Sequence, residues 1–218
     1  YFNFSYQVGN DSYNNIPAEG RLIIVANHPI GTLDGLALVK LIRSVRPDVR
    51  IVANRVLSHM EPLQSIFLPV DVLSEKKKFK DVYKTMIDAL ENEEAVIFFP
   101  AGEVSRITPK GIRDGAWQSG FVKLARKTQS PVLPIYIKAK NSALFYSAST
   151  IYKPLGTMLL VKEMFNKKGQ EIKFLVGAPV PYQALADSTK TNKQLSQRFR
   201  KHVQNLGKKN KAPLFATV

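Results

Sequence analysis

The chain has 218 residues, a formal net charge of +15 at pH 7 and no cysteine. That length suits one substantial domain with a single large core, and the missing cysteines exclude disulfides, thiolate metal sites and a Cys nucleophile. No apolar run approaches the roughly 18 to 20 residues of a membrane span, while the basic excess, concentrated after Val104 where the acidic residues are Asp114, Glu163, Glu171 and Asp187, asks for an anionic partner, nucleic acid or an acidic lipid surface.

Tyr1 to Asn15 reads as a polar, aromatic-studded lead-in. Leu22 to Ala26 is a short apolar run rich in β-branched residues, which predicts a buried strand. It stops at Asn27-His28-Pro29: Pro29 has no N–H for a ladder and pushes His28 toward an extended conformation, and Gly31 permits backbone angles that other residues avoid. From Gly35 onward Leu36, Ala37, Leu38, Leu41, Ile42 and Val45 recur at helical spacing, so His28 and Asp34 sit in a strand-to-helix loop, the usual ligand site of α/β proteins. From spacing alone two readings of this pair stay open. In one, Asp34 orients and charges His28 as a general base; in the other, Asp34 caps the helix and His28 ends the strand.

Arg50 to Ala53 reads as a strand, Asn54 to His59 as a loop or short helix with His59 structural or solvated, and Pro62 to Phe67 as a helical turn. A short strand then runs through Leu68 to Val72. Phe79, Val82, Tyr83, Met86 and Leu90 mark one apolar helix face, and Ala95 to Phe99 is apolar throughout, as expected of a central parallel strand. Thr108 to Gly115 is turn-rich and basic, Ala116 to Thr128 is helical, and Pro131 to Ile137 is a strand in which Pro134 argues for an edge or a bend. Asn141 to Val161 reads as helix plus loop, first of all an ordinary core element, with lying on lipid or lining an acyl groove as the other readings. Ile172 to Val176 is a further strand, and Asn192 to Leu206 a helix with His202 structural beside its apolar seam. Strand and helix alternate nearly throughout, which predicts an α/β fold with a mostly parallel central sheet flanked by helices. Zinc-finger spacing, RNP-like aromatic strands and heptads with a basic region are all missing, so nucleic acid is not the expected partner; three scattered His without ligand spacing argue against a metal.

Asn27-His28-Pro29-Ile30-Gly31-Thr32-Leu33-Asp34 resembles the first motif of the glycerolipid acyltransferases, the lysophosphatidic acid acyltransferase superfamily, in which Asn-His is followed by four residues and Asp; here five intervene. The His-Pro-x-Gly-x-x-Asp-Gly form looks like the branch containing ornithine-lipid acyltransferases and proteins labelled hemolysins. Phe99-Pro100-Ala101-Gly102-Glu103-Val104-Ser105-Arg106 resembles the family's third motif, Phe-Pro-Glu-Gly-Thr-Arg-Ser, with Ala101 and Val104 in the Glu and Arg places and Glu103 and Arg106 two residues further on. Val72 stands at the second motif's Arg, and Val132 to Ile135 is similar to the fourth motif, a Val-x-Pro-Ile/Val strand.

The resemblance spans Arg21 to Pro181 and leaves 190–218 as a C-terminal basic helix and tail. It implies one acyltransferase domain over 1–218 with the glycerol-phosphate-acyltransferase-type fold, and transfer of an acyl group from acyl-CoA or acyl carrier protein, with no other cofactor, to a lysolipid hydroxyl. By the same resemblance His28 and Asp34 are catalytic, and Asn27, Gly31, Phe99, Pro100, Gly102, Glu103, Arg106 and Pro134 line the substrate, with backbone N–H groups near Gly31 or Gly102 as oxyanion donors. It also implies a peripheral protein on the cytoplasmic face of an anionic membrane. Because Val offers no donor where the family has Arg, the resemblance favours an acceptor with a zwitterionic or amino-acid head group over a phosphomonoester. A basic, hemolysin-like membrane-binding module without catalysis is the alternative.

Overall fold

The computed structural model describes residues 5–9, 12–54, 66–70, 76–109, 111–151, 153–167, 169–208 and 212–215. Arg55, His59, the start of the turn at Pro62, and Val72 lie outside them. In chain order the strands are β1 (Ser5–Val8), β2 (Leu22–Ala26), β3 (Val49–Asn54), β4 (Phe67–Val70), β5 (Ala95–Phe98), the small hairpin of β6 (Arg106–Thr108) and β7 (Gly111–Arg113), then β8 (Val132–Lys138) and β9 (Glu171–Val176). The helices are α1 (Thr32–Arg43), α2 (Lys76–Glu91), α3 (Gly120–Thr128), α4 (Ala143–Ile151), α5 (Lys153–Asn166) and α6 (Asn192–Leu206).

The main sheet has seven strands in the order β1-β9-β8-β2-β5-β3-β4. Its pairs are parallel except β8 with β9, in keeping with the mostly parallel sheet expected. β2 is buried along its whole length because helices cover both faces of the sheet, and side chains alternate between them. Leu22, Ile24 and Ala26 join Leu38, Leu41 and Ile42 of α1 in one core; Ile23 and Val25 join Leu90, Phe121, Leu124 and Phe199 from α2, α3 and α6 in the other. Each such side chain contributes roughly 1.5 to 3 kcal/mol on burial, which anchors the loop that follows β2. Arg46, fully buried below α1, is matched by two hydrogen bonds to the Asp48 carboxylate and one to the Glu93 carbonyl, as a buried charge requires.

Four local readings change. The lead-in contains β1, which pairs with β9 at the sheet edge. The helix expected from Ala116 begins at Gly120, because Trp117 and Gln118 spend their polar groups on Asp114 and the Pro100 carbonyl. Helix plus loop becomes two helices, α4 and α5. Pro134 sits in an interior strand, between Val25 of β2 and the end of β9, and is buried. It is tolerated there because Ile135 pairs with Val176 while Val132 bridges to Val180, so β9 carries one extra residue at Gly177-Ala178-Pro179. The ladder is broken by this bulge where the proline lacks its N–H.

Candidate active site

The carboxyl end of β2 delivers Asn27, whose amide donates to the Ile137 carbonyl at 2.9 Å and accepts from the Ile137 N–H at 2.7 Å. Both ends of the amide are thus used to tie β2 to β8, and the next residue leaves the sheet at a fixed point. The His28 carbonyl accepts from Ser105 N–H at 2.7 Å, and its N–H donates to Asp114 Oδ1 at 3.2 Å. Asp114 is held in turn by Ser105 Oγ at 2.5 Å and Trp117 Nε1 at 2.8 Å. The third motif and the turn after it therefore grip the backbone of the first.

The His28 ring stacks on Phe99, with centroids 4.2 Å apart. Its Nδ1 lies 2.8 Å from Asp34 Oδ1, and neither atom has another partner; the His28 side chain is 20% exposed and Asp34 fully buried. Asp34 is the third residue of α1, behind an N-cap at Gly31. Its second oxygen accepts the N–H groups of Ile30 at 2.8 Å and Gly31 at 3.2 Å. Asp34 therefore lies inside α1, which begins three residues before the helical run read from Gly35, and the N-cap is Gly31, not Asp34: one carboxylate oxygen holds the helix entry and the other faces the imidazole. Gly31 makes this possible with φ 96°, a conformation that costs an L side chain dearly.

Burial opposes protonation of His28, but the charge and hydrogen bond of Asp34, then the charge of Asp114, outweigh it and hold its pKa above the ordinary histidine value. Burial raises the pKa of Asp114 against the hydrogen bonds from Ser105, Trp117 and His28 N–H.

Of the other residues singled out, Pro100 is buried and accepts from Gln118 N–H, and Gly102 N–H donates to the Phe99 carbonyl. Gly31 N–H is turned to Asp34, so the two glycines' own N–H groups are engaged within the protein. Arg106 donates to Ser149 Oγ at 2.6 Å, lies 5.2 Å from the centre of the Phe145 ring and has Glu103 at 3.7 Å. Pro134 stays in the sheet interior, away from this edge. Val104, at the family's Arg place, is buried with Phe145 and Tyr146 of α4.

Sequence reasoning missed Asp114, although it is the lone acid between Val104 and Leu160. It also missed that α4 and α5 cover the loop: Asn141 Nδ2 donates to the Pro29 carbonyl, and a Cβ on Gly31 would lie 3.5 Å from Leu160. Among the described residues no helix is long and apolar enough to cross a membrane.

A family model described as "Acyltransferase" matches residues 3–211. Two curated relatives share the name "Lyso-glycine lipid O-acyltransferase". That of Phocaeicola vulgatus is 30% identical over 190 residues, covering 84% of this chain and 67% of the relative. That of Bacteroides thetaiotaomicron is 29% identical over 199 residues, covering 88% and 72%. The crystal structure of the 1-acyl-sn-glycerophosphate (LPA) acyltransferase PlsC from Thermotoga maritima is similar over 97% of this chain and 76% of that one, with a TM-score of 0.58 and 18% identity, a likeness of fold.

Proposed function

Because the chain belongs to the acyltransferase family, we propose that it moves a fatty acyl group from acyl-CoA or acyl carrier protein onto a lysolipid hydroxyl, with His28 as general base and Asp34 orienting it. The observation that carries this reading is the His28–Asp34 pair, 2.8 Å apart at the carboxyl end of a buried parallel strand. With Nδ1 turned to Asp34, His28 keeps Nε2 for the acceptor. Nε2 takes the hydroxyl proton as the oxygen attacks the thioester carbonyl carbon; the tetrahedral intermediate collapses, the C–S bond breaks, and the imidazolium returns the proton to the leaving thiolate. Asp34 holds the ring in place and stabilises the imidazolium.

The acceptor we propose is a lysolipid with an amino-acid head group. Val104 supports it: where the family motif has an arginine, a buried valine packs on Phe145 and Tyr146 and offers no donor, so this position supplies no bidentate phosphate contact, worth about 1.5 to 3 kcal/mol. The relatives' names point the same way, to a glycine head group. We propose that the enzyme works as a peripheral protein on the cytoplasmic face of the membrane; exposed Leu144, Met158 and Phe165 on α4 and α5 support the contact with lipid.

The test is kcat/KM for lyso-glycine lipid, lyso-ornithine lipid and lysophosphatidic acid with each thioester donor. His28→Ala should lower turnover by about 10² to 10⁴ with the fold intact. Wild-type turnover in that variant would end the catalytic assignment, and a clear preference for lysophosphatidic acid would end the acceptor assignment.

A further inference from the structure

We propose that a cationic pocket beside the His28 loop holds the anionic group of a substrate, a carboxylate or a phosphate, through Lys140 and Lys208; the inference rests on the acyl-transfer reading. The pocket has a volume of about 280 Å³ and opens between the end of β8, the end of α6 and the β6–β7 hairpin. Its wall includes Asn27 and Pro29, the chain neighbours of His28, whose Cα atoms stand about 3.8 Å from that of His28 across trans peptides. Ser105 and Asp114, which hold the His28 backbone, complete that side.

Lys140 and Lys208 line the pocket beside one acid, Asp114, whose carboxylate oxygens accept from His28 N–H, Ser105 and Trp117. Lys140 and Lys208 are exposed, and among the described residues neither has a carboxylate in ion-pair reach. The floor is rigid: a Cβ on Gly207 would come within 2.4 Å of the Tyr136 ring, so the end of α6 packs directly on β8.

Size and place favour the acceptor as the source of the anion. The volume suits a head group and not an acyl chain. In an N-acylated amino acid the carboxylate lies a few bonds from the reacting end, whereas the phosphates of a thioester donor lie at the far end of the pantetheine arm.

The experiment uses the full chain and Lys140→Glu/Lys208→Glu, two exposed positions whose exchange leaves the melting temperature unchanged if the fold is intact. Binding of N-octanoylglycine and of its methyl ester is measured by titration calorimetry, and KM is measured for lyso-glycine lipid and for acyl-CoA. The wild type should bind the free carboxylate at least tenfold more tightly than the ester, and the double variant should erase that difference and raise KM for the acceptor tenfold or more. A rise in KM for acyl-CoA alone would keep the anion site and assign it to the donor's phosphate. Unchanged binding and unchanged KM values in a folded variant would overturn the proposal. If the wild type acylated no lysolipid yet still discriminated acid from ester through the two lysines, the acyl-transfer reading would fall and the pocket would stand.

Discussion

At the scale of single residues, two carboxylates raise the pKa of His28, the proposed base. Asp34 stabilises the charged ring against the cost of burial, so the ring gives up its proton above the usual value of about 6.5. Two consequences follow in sign. The protonated pair stabilises the fold fully below the unfolded histidine value, and that contribution is lost as pH rises through the raised folded value. Activity runs the other way, because the reaction needs neutral imidazole: kcat/KM should rise with pH along an acid limb centred above about 6.5. Asp34→Asn removes the two larger effects that raise the pKa, while burial and the charge of Asp114 stay. The acid limb should move to lower pH and the plateau fall on the order of 10² or more. A pH–rate profile of variant and wild type decides this; an unmoved limb would mean that Asp34 only holds the entry of α1. His28 and Asp34 were legible together because the strand, the Pro-Gly turn and the helix that unite them are adjacent in sequence. Asp114 was not, since it reaches His28 across 86 residues.

At the scale of elements, the junction of β8 and β9 shows how a proline survives inside a sheet. A Cβ on Gly177 would come within 2.9 Å of Pro134 Cγ and 3.0 Å of Leu206 Cδ2, a rigid ring on one side and α6 on the other. Gly177→Ala should therefore destabilise by about 1 to 3 kcal/mol, with the midpoint of thermal unfolding lower by about 2 to 4 °C per kcal/mol for a chain of this size. An unchanged melting temperature would mean that the bulge yields freely. Sequence reading offered an edge or a bend for Pro134 because it counts the missing N–H of a proline but not a bulge in the partner strand, which exists only once β9 has paired.

At the scale of the whole molecule, the net charge of +15 is accompanied by exposed apolar side chains: Leu144, Met158 and Phe165 on α4 and α5, and Ile107 and Ile112 on the β6–β7 hairpin. These elements lie over the third motif and the catalytic loop. Vesicles with anionic lipid should bind the protein better than neutral ones, by about 1 kcal/mol for each engaged Lys or Arg, and binding should weaken as salt rises toward about 1 M and the Debye length contracts to about 3 Å. Met158→Ser with Phe165→Ser should weaken it further in a sedimentation assay; equal, salt-independent binding to both vesicle types would leave the basic half as solvated surface. The sequence by itself determined the alternation of strand and helix, the buried β2, and a His and an Asp within one turn of each other, because hydrophobic period, proline and glycine act between neighbours in the chain. Only the tertiary structure decided that Ser105, Asp114 and Trp117 fasten the His28 backbone, that Asp34 serves helix and imidazole at once, and that Arg113, Lys140 and Lys208 meet in one pocket. Those groups are brought together by the order of strands across the sheet, and the burial that sets their protonation is a property of the packed interior, which no local pattern of residues encodes.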